Sequence, residues 1–155
     1  MKNVTIGKLL LYITLGIFLS GCAATTPMME DRFDADAKSF KTAKNKANIY
    51  VVRENAFAGS AVLFQVLLDG KVRGAIAPGT YLLFDVKPGP HTVAVITQEN
   101  AESAKISASA GKNYFVEVTP TMGWMAARVS VKNIEQEKGH KLVIEGKRAK
   151  PLISD

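Results

Sequence analysis

What most constrains this chain is the punctuation between Phe64 and Thr97, FQVLLDGKVRGAIAPGTYLLFDVKPGPHTVAVIT, where short runs of alternating apolar residues each end at a turn signal. The signals are Asp69-Gly70, Pro78-Gly79 and Lys87-Pro88-Gly89-Pro90. Turns this closely spaced, between runs of period two, read as successive antiparallel strands. Asp69-Gly70 between two apolar runs predicts a two-residue hairpin, because both central positions of the favoured turn take positive φ. Pro90 has no N–H to give to a ladder, so it is expected at the turn or at a strand entry. After it, His91, Val93 and Val95 alternate with Thr92, Ala94 and Ile96.

The same pattern extends in both directions. Asn48 to Arg53, NIYVVR, has the β-branched and aromatic density of a first strand. Ser60 to Asp69 is apolar on nearly both faces and is expected to be a central strand, while Thr80 to Val86 alternates cleanly. Gln98 to Ser103 reads as a polar connection, after which Ala104 to Ala110, a Gly111-Lys112-Asn113 turn and Tyr114 to Thr119 predict another hairpin. Pro120 to Gly123 interrupts the pattern and Trp124 to Val131 resumes it. The total is seven to eight strands, and 155 residues of which 47% are apolar suffice for one packed core. An all-β, small antiparallel β-sandwich is the expected fold. Ile134 to Gly146 fits a short terminal helix with Gly139 as its weak point, although Leu142 and Ile144 also alternate as in a strand; the helix is the favoured reading.

Ahead of this body stands a different kind of segment. Lys2 and Lys8 form a positive region and Leu9 to Phe18 an apolar one too short to span a bilayer comfortably. Leu19-Ser20-Gly21-Cys22 follows and resembles the bacterial lipobox, in which the cysteine thiol receives diacylglycerol. Cys22 is the only cysteine, so it has no intrachain disulfide partner. The bland alternative is an ordinary signal peptide or membrane-anchoring helix with an incidental thiol. The lipobox resemblance implies cleavage before Cys22 and anchoring by several acyl chains, which one chain cannot supply. Ala23, in place of an aspartate, implies sorting to the outer membrane in a diderm cell.

Four regions are therefore expected: a removed lipoprotein signal peptide over 1–21, a lipidated Cys22 and tether over 22–47, a β-sandwich over 48–146, and a basic tail over 147–155. Within the tether, Asp34 to Lys44 suits either a short helix capped by Asp34 and leaning on the domain through Phe40, or a solvated linker. Fully extended, such a tether reaches on the order of 80 to 90 Å. A fragment starting at residue 48 is expected to fold by itself.

Candidates for chemistry are few. His91 and His140 are the only histidines, and neither sits in a metal-ligand spacing. His91, next to a Pro-Gly-Pro turn, reads as a turn-stabilising or strand-edge residue. Ser60 lacks the nucleophile elbow, and no phosphate-binding glycine loop is present. No catalytic residue, metal ligand or cofactor is assigned, and the protein is not expected to be an enzyme. Tyr50, Tyr81, Tyr114 and Trp124 are candidates for a binding face, with sheet packing as the ordinary role for the tyrosines. Trp124 and Met125, beside the Pro120 to Gly123 loop, form the candidate contact site. The formal charge is +6, and removing a segment that carries Lys2 and Lys8 lowers it to +4. Its cations are interleaved with acids, which argues against nucleic acid and suits proximity to anionic lipid or wall polymer.

Ile49 to Arg53 (IYVVR), Leu67 to Lys71 (LLDGK), Gly79 to Tyr81 (GTY) and Lys87 to His91 (KPGPH) together resemble an uncharacterised family of bacterial lipoprotein domains, similar in style to PEGA domains. Members share an IYVYR-like first strand, a DGK hairpin and a PG-x-H corner; Val52 departs from the usual aromatic. The resemblance covers roughly Lys38 to Glu145 and implies an immunoglobulin- or transthyretin-like sandwich at the envelope surface, with no activity to carry over. The functional expectation is a membrane-anchored envelope lipoprotein, a non-catalytic binding or structural module for an envelope protein or cell wall polymer. The alternative is a small-ligand carrier or hydrolytic enzyme with a pocket in the sandwich.

Overall fold

The computed structural model describes residues 24–57 and 59–152. Among them, α1 (Asp31–Ala37) precedes eight strands: β1 (Ala47–Arg53), β2 (Phe64–Leu68), β3 (Lys71–Ile76), β4 (Thr80–Val86), β5 (Gly89–Ile96), β6 (Ala101–Ala108), β7 (Asn113–Thr121) and β8 (Arg128–Ile134). Then come α2 (Gln136–Glu145) and a two-residue strand, β9 (Lys147–Arg148). One sheet has the order β8-β7-β1-β4-β9 and the other β3-β2-β5-β6. The expected all-β sandwich and the terminal helix are both present.

Alternating side chains from the two sheets meet in the middle: Ile49, Val51, Leu82, Phe84, Val116 and Val118 from one, Phe64, Val66, Val93, Val95 and Ile106 from the other. A second core lies on the opposite face of the five-stranded sheet. There Tyr50, Val52, Tyr81 and Phe115 are covered by Ala37 and Phe40 from the N-terminal segment and by Leu142 and Val143 from α2. This third, helical layer explains why β1 is buried at every position. The strand read into Ser60 to Asp69 is central as expected, with β2 flanked by β3 and β5, but it is shorter, and Gln65 is exposed because the outer face of its sheet carries no covering layer among the described residues.

Turn chemistry was sufficient to place the β2–β3 hairpin, where Asp69 and Gly70 take φ of 51° and 78°. It was not sufficient elsewhere. The Gly111 turn does not make the expected hairpin, because β6 stays in the four-stranded sheet while β7 crosses to pair with β1 and β8. The chain crosses likewise between β3 and β4 and between β4 and β5. Nor is every pairing antiparallel: β1 runs parallel to β7, and β4 parallel to β9. Trp124 to Ala127, expected to open a strand, form a loop before β8 begins at Arg128.

The described part of the expected tether is not free chain. Its helix occupies Asp31–Ala37 rather than Asp34 to Lys44, and Asp34 is a latch instead of a cap. The Asp34 carboxylate accepts from the Tyr81 hydroxyl at 2.7 Å, from the Arg148 backbone N–H at 2.9 Å and from the Lys38 ammonium at 2.7 Å. Burial alone would raise its pKa, but these donors hold it below the ordinary carboxylate value. The Tyr50 hydroxyl, pushed up to about 12 mainly by burial, donates to the Ala37 carbonyl at 2.7 Å. Phe40 does anchor the segment as expected, packing on Tyr50, Phe115 and His140. At the other terminus, Lys147 and Arg148 add to the sheet edge and Ala149 is buried, bridged to Met28, so residues 147–149 belong to the domain rather than to a tail.

Candidate functional site

The strand directions give the sandwich two dissimilar ends. β1, β3, β5 and β7 finish where β4, β6 and β8 begin, so the 54–63, 97–100 and 122–127 loops gather at one pole. The other pole holds the Asp69-Gly70 turn, the Lys87-Pro88 corner, the Gly111 turn and the chain between α1 and β1.

Trp124 and Met125, the residues singled out in the sequence, lie at the first pole with Met122 and Phe57; all four are between 89% and 96% exposed. Leu63 and Ile96 extend the same apolar surface. This exposure is built into the backbone. The Glu99 carboxylate, from the β5–β6 connection, accepts the N–H groups of Trp124 at 2.9 Å, Met125 at 2.5 Å and Ala126 at 2.6 Å. Those three donors hold its pKa below the ordinary value. Gly123 sits so close that a Cβ there would lie 2.0 Å from the Ala126 carbonyl oxygen and 2.3 Å from Glu99. Next door, Asn100 accepts from the Val129 N–H and donates to the Val129 carbonyl. The loop backbone is thereby wrapped on a fixed carboxylate, leaving the side chains of Met122, Trp124 and Met125 nowhere to point but outward.

Beneath the neighbouring loop, Arg53 is 3% exposed and donates to the carbonyls of Val62, Gly59 and Ile76, with its guanidinium 4.8 Å from the Phe64 ring centroid. Burial draws its pKa down to about 10, which still leaves it charged at neutral pH. Its task is to hold the 54–63 loop. Gly59 in that loop touches Pro120, and together with residues 120–127 it lines an open cleft of ≈ 370 Å³. Sequence reasoning found Trp124 and Met125 but missed Glu99 and Arg53; a lone acid in a polar connection and an arginine ending an apolar strand were the only signals.

The other candidates are structural. Tyr50 and Tyr81 are fully buried in the second core, and Tyr114 is half-buried with its hydroxyl accepting from the Ser109 N–H. His140 stacks on Phe40 at 4.0 Å between centroids. His91 bonds the Asp69 carboxylate through Nδ1 at 2.7 Å and the Lys87 carbonyl through Nε2 at 2.8 Å, clasping the second pole's turns together. Two acceptors on one ring favour the imidazolium: burial pulls the His91 pKa down, but Asp69 and Lys87 outweigh it and leave it raised. Ser60 is bonded to the N-terminal segment, its carbonyl accepting the Ala24 N–H at 2.9 Å. Cys22 lies outside the described residues. Among the described residues no cluster of His, Cys, Asp or Glu is arranged to hold a metal ion, and no helix is long and apolar enough to cross a membrane.

A comparison with curated proteins found no match. Residues 43–132, from the approach to β1 as far as β8, match a family described as protein of unknown function (DUF2846), leaving α1, α2 and β9 outside the matched part. With more than half of its length matched, the chain belongs to the DUF2846 family.

Proposed function

We propose that the protein is a lipid-anchored lipoprotein of the bacterial envelope, in a diderm cell an outer-membrane protein facing the periplasm, that serves as a non-catalytic binding or structural module. The observation that carries this reading is the spacing between anchor and domain. Cys22, the sole cysteine and the last residue of the lipobox-like Leu19-Ser20-Gly21-Cys22, is two residues from Ala24, which is already hydrogen-bonded to the domain. A thioether-linked diacylglycerol at Cys22 therefore fixes the sandwich beside the bilayer, whereas a free tether would leave it to roam.

The pole remote from Ala24 is the one left for partners. Lys41, Lys44, Lys71, Lys87 and Lys112 are exposed there, with Asp69 engaged by His91. Such a surface suits an envelope protein or an anionic cell wall polymer more than a small substrate. The inter-sheet layer is filled with Val, Leu, Ile and Phe side chains rather than with convergent polar groups.

The anchor is tested by replacing Cys22 with Ser and feeding cells labelled palmitate. Wild-type protein is expected to take up label and fractionate with membranes; the variant is expected to lose the label entirely and to accumulate as precursor. Equal fractionation of both, with no label in the wild type, would overturn the reading.

A further inference from the structure

We infer that the apolar pole of the sandwich is a bilayer-seating surface: Phe57, Leu63, Ile96, Met122, Trp124 and Met125 enter the interfacial region of the membrane that carries the lipid anchor. The inference rests for its geometry on the proposed anchor at Cys22 and names a second, separate contact with lipid. Three observations converge on it. First, the side chains are of the kind that partition at a membrane interface, an indole among flexible and aromatic hydrocarbon groups, and they project from one end. Second, their presentation is enforced, since the Glu99 carboxylate and the close-fitting Gly123 fix the loop backbone, and little conformational entropy remains to be lost on insertion.

The third observation selects lipid over a protein partner. The described chain starts at this pole: Ala24 donates to Ser60, and the adjacent Gly59 lines the same cleft as Trp124. Two residues of extended chain reach about 7 Å, so a lipidated Cys22 cannot sit far from the apolar loops. Any membrane holding the anchor is brought against this end. Glu99 does not oppose seating, because its charge is spent on three backbone donors and Arg128 lies 4.0 Å away. The 54–63, 97–100 and 122–127 segments carry no lysine or arginine in their sequence, so seating is expected to need no anionic lipid.

Trp124 is the only tryptophan in the chain and so reports the contact directly. Mature protein purified from membranes is reconstituted into phosphatidylcholine vesicles, with and without bromine on the acyl chains, and the mass of the Cys22 peptide is measured on the same preparation. The expected result is blue-shifted emission that resists iodide and is largely lost in the brominated vesicles. A triple variant, Phe57→Glu, Met122→Glu and Met125→Glu, keeps Trp124 and alters only exposed positions; it is expected to restore a water-like emission and abolish quenching by bromine. An acylated wild-type protein whose Trp124 is untouched by brominated lipid would overturn the inference while leaving the anchor intact. Blue-shifted emission without bromine quenching would also overturn it, since the pole would then be covered by protein. Bromine quenching with an unmodified Cys22 would uphold the seating surface and remove the anchor.

Discussion

His91 and Asp69 show how two residues convert a local turn into a contact between strands distant in the chain. Asp69 stands in the hairpin at positive φ and uses its carboxylate twice, on the His91 ring and on the Thr92 N–H at 2.8 Å. Burial would raise the Asp69 pKa, but His91 and Thr92 lower it on balance; for His91 the balance runs the other way and the pKa is raised. The pH dependence follows from both signs. A raised histidine contributes its stability below the unfolded value near 6.5 and loses it as pH climbs through the folded value; a depressed aspartate contributes above about 4 and loses it as pH falls. The clasp is therefore fullest between about pH 4 and 6.5. His91→Gln should flatten the decline in melting temperature on going from pH 6 to pH 8, and a wild-type slope that survives the substitution would remove this role. Because Asp69 is half exposed, the effect should stay within about 1 kcal/mol. The hairpin beneath it was legible from Asp69-Gly70 alone. The clasp was not, since nothing in a linear pattern brings Asp69 to His91. Gly139 makes the same point: it reads as a flaw in a helix, yet a Cβ there would lie 2.2 Å from the Phe115 ring, so it is the residue that lets α2 lie close on the sheet.

At the scale of elements, alternation and turn residues identified most strands because both are local properties of a half-buried chain. Which strand neighbours which was hidden at each crossing. A Gly turn says that the chain reverses, and the sheet that receives it is decided by distant partners, as with β7 settling parallel to β1. The helical layer was legible only in part: the terminal helix and a short helix leaning on the domain through Phe40 could be read, but not the polar contacts that hold the N-terminal segment down. Residues 24–46 are poor in large apolar side chains and act through polar latches and one ring: Asp34 on Tyr81 and Arg148, Ala37 on Tyr50, the Lys41 carbonyl on Asn48, and Phe40 on Phe115. A fragment starting at residue 48 strips the cover from Tyr50 and Tyr81, replaces two internal hydroxyl hydrogen bonds by bonds to water at about 0.5 to 1.5 kcal/mol each, and loses the packing of Phe40 as well. Against a typical total of about 5 to 15 kcal/mol, that is severe. The 48–155 fragment is expected to melt on the order of 10 °C or more below the 24–155 chain, or to aggregate, and equal melting temperatures would show the latch to be idle.

For the molecule as a whole, the two poles and the short link to Cys22 set an orientation as well as a location. A domain on a flexible tether of about 25 residues would tumble, and labels at its two ends would report the same average height above the bilayer. A domain whose first described residue is hydrogen-bonded beside the apolar loops would stand on that end, with the lysine-bearing pole outward by one strand length. The nine residues of β7, Asn113 to Thr121, make that length roughly 25 to 30 Å. Cys22 is the only cysteine and is blocked when acylated, so a single introduced thiol can be labelled in the lipoprotein without background. Gln98→Cys places a label in the loop beside Ile96, and Lys112→Cys places one at the opposite pole; both positions are exposed. Energy transfer from each label to an acceptor in the headgroup layer is expected to put residue 98 at the lipid surface and residue 112 about a strand length above it. Equal transfer from the two sites would mean that the sandwich turns freely about Cys22, and the outward presentation of Lys41, Lys71, Lys87 and Lys112 to a wall-side partner would lose its basis.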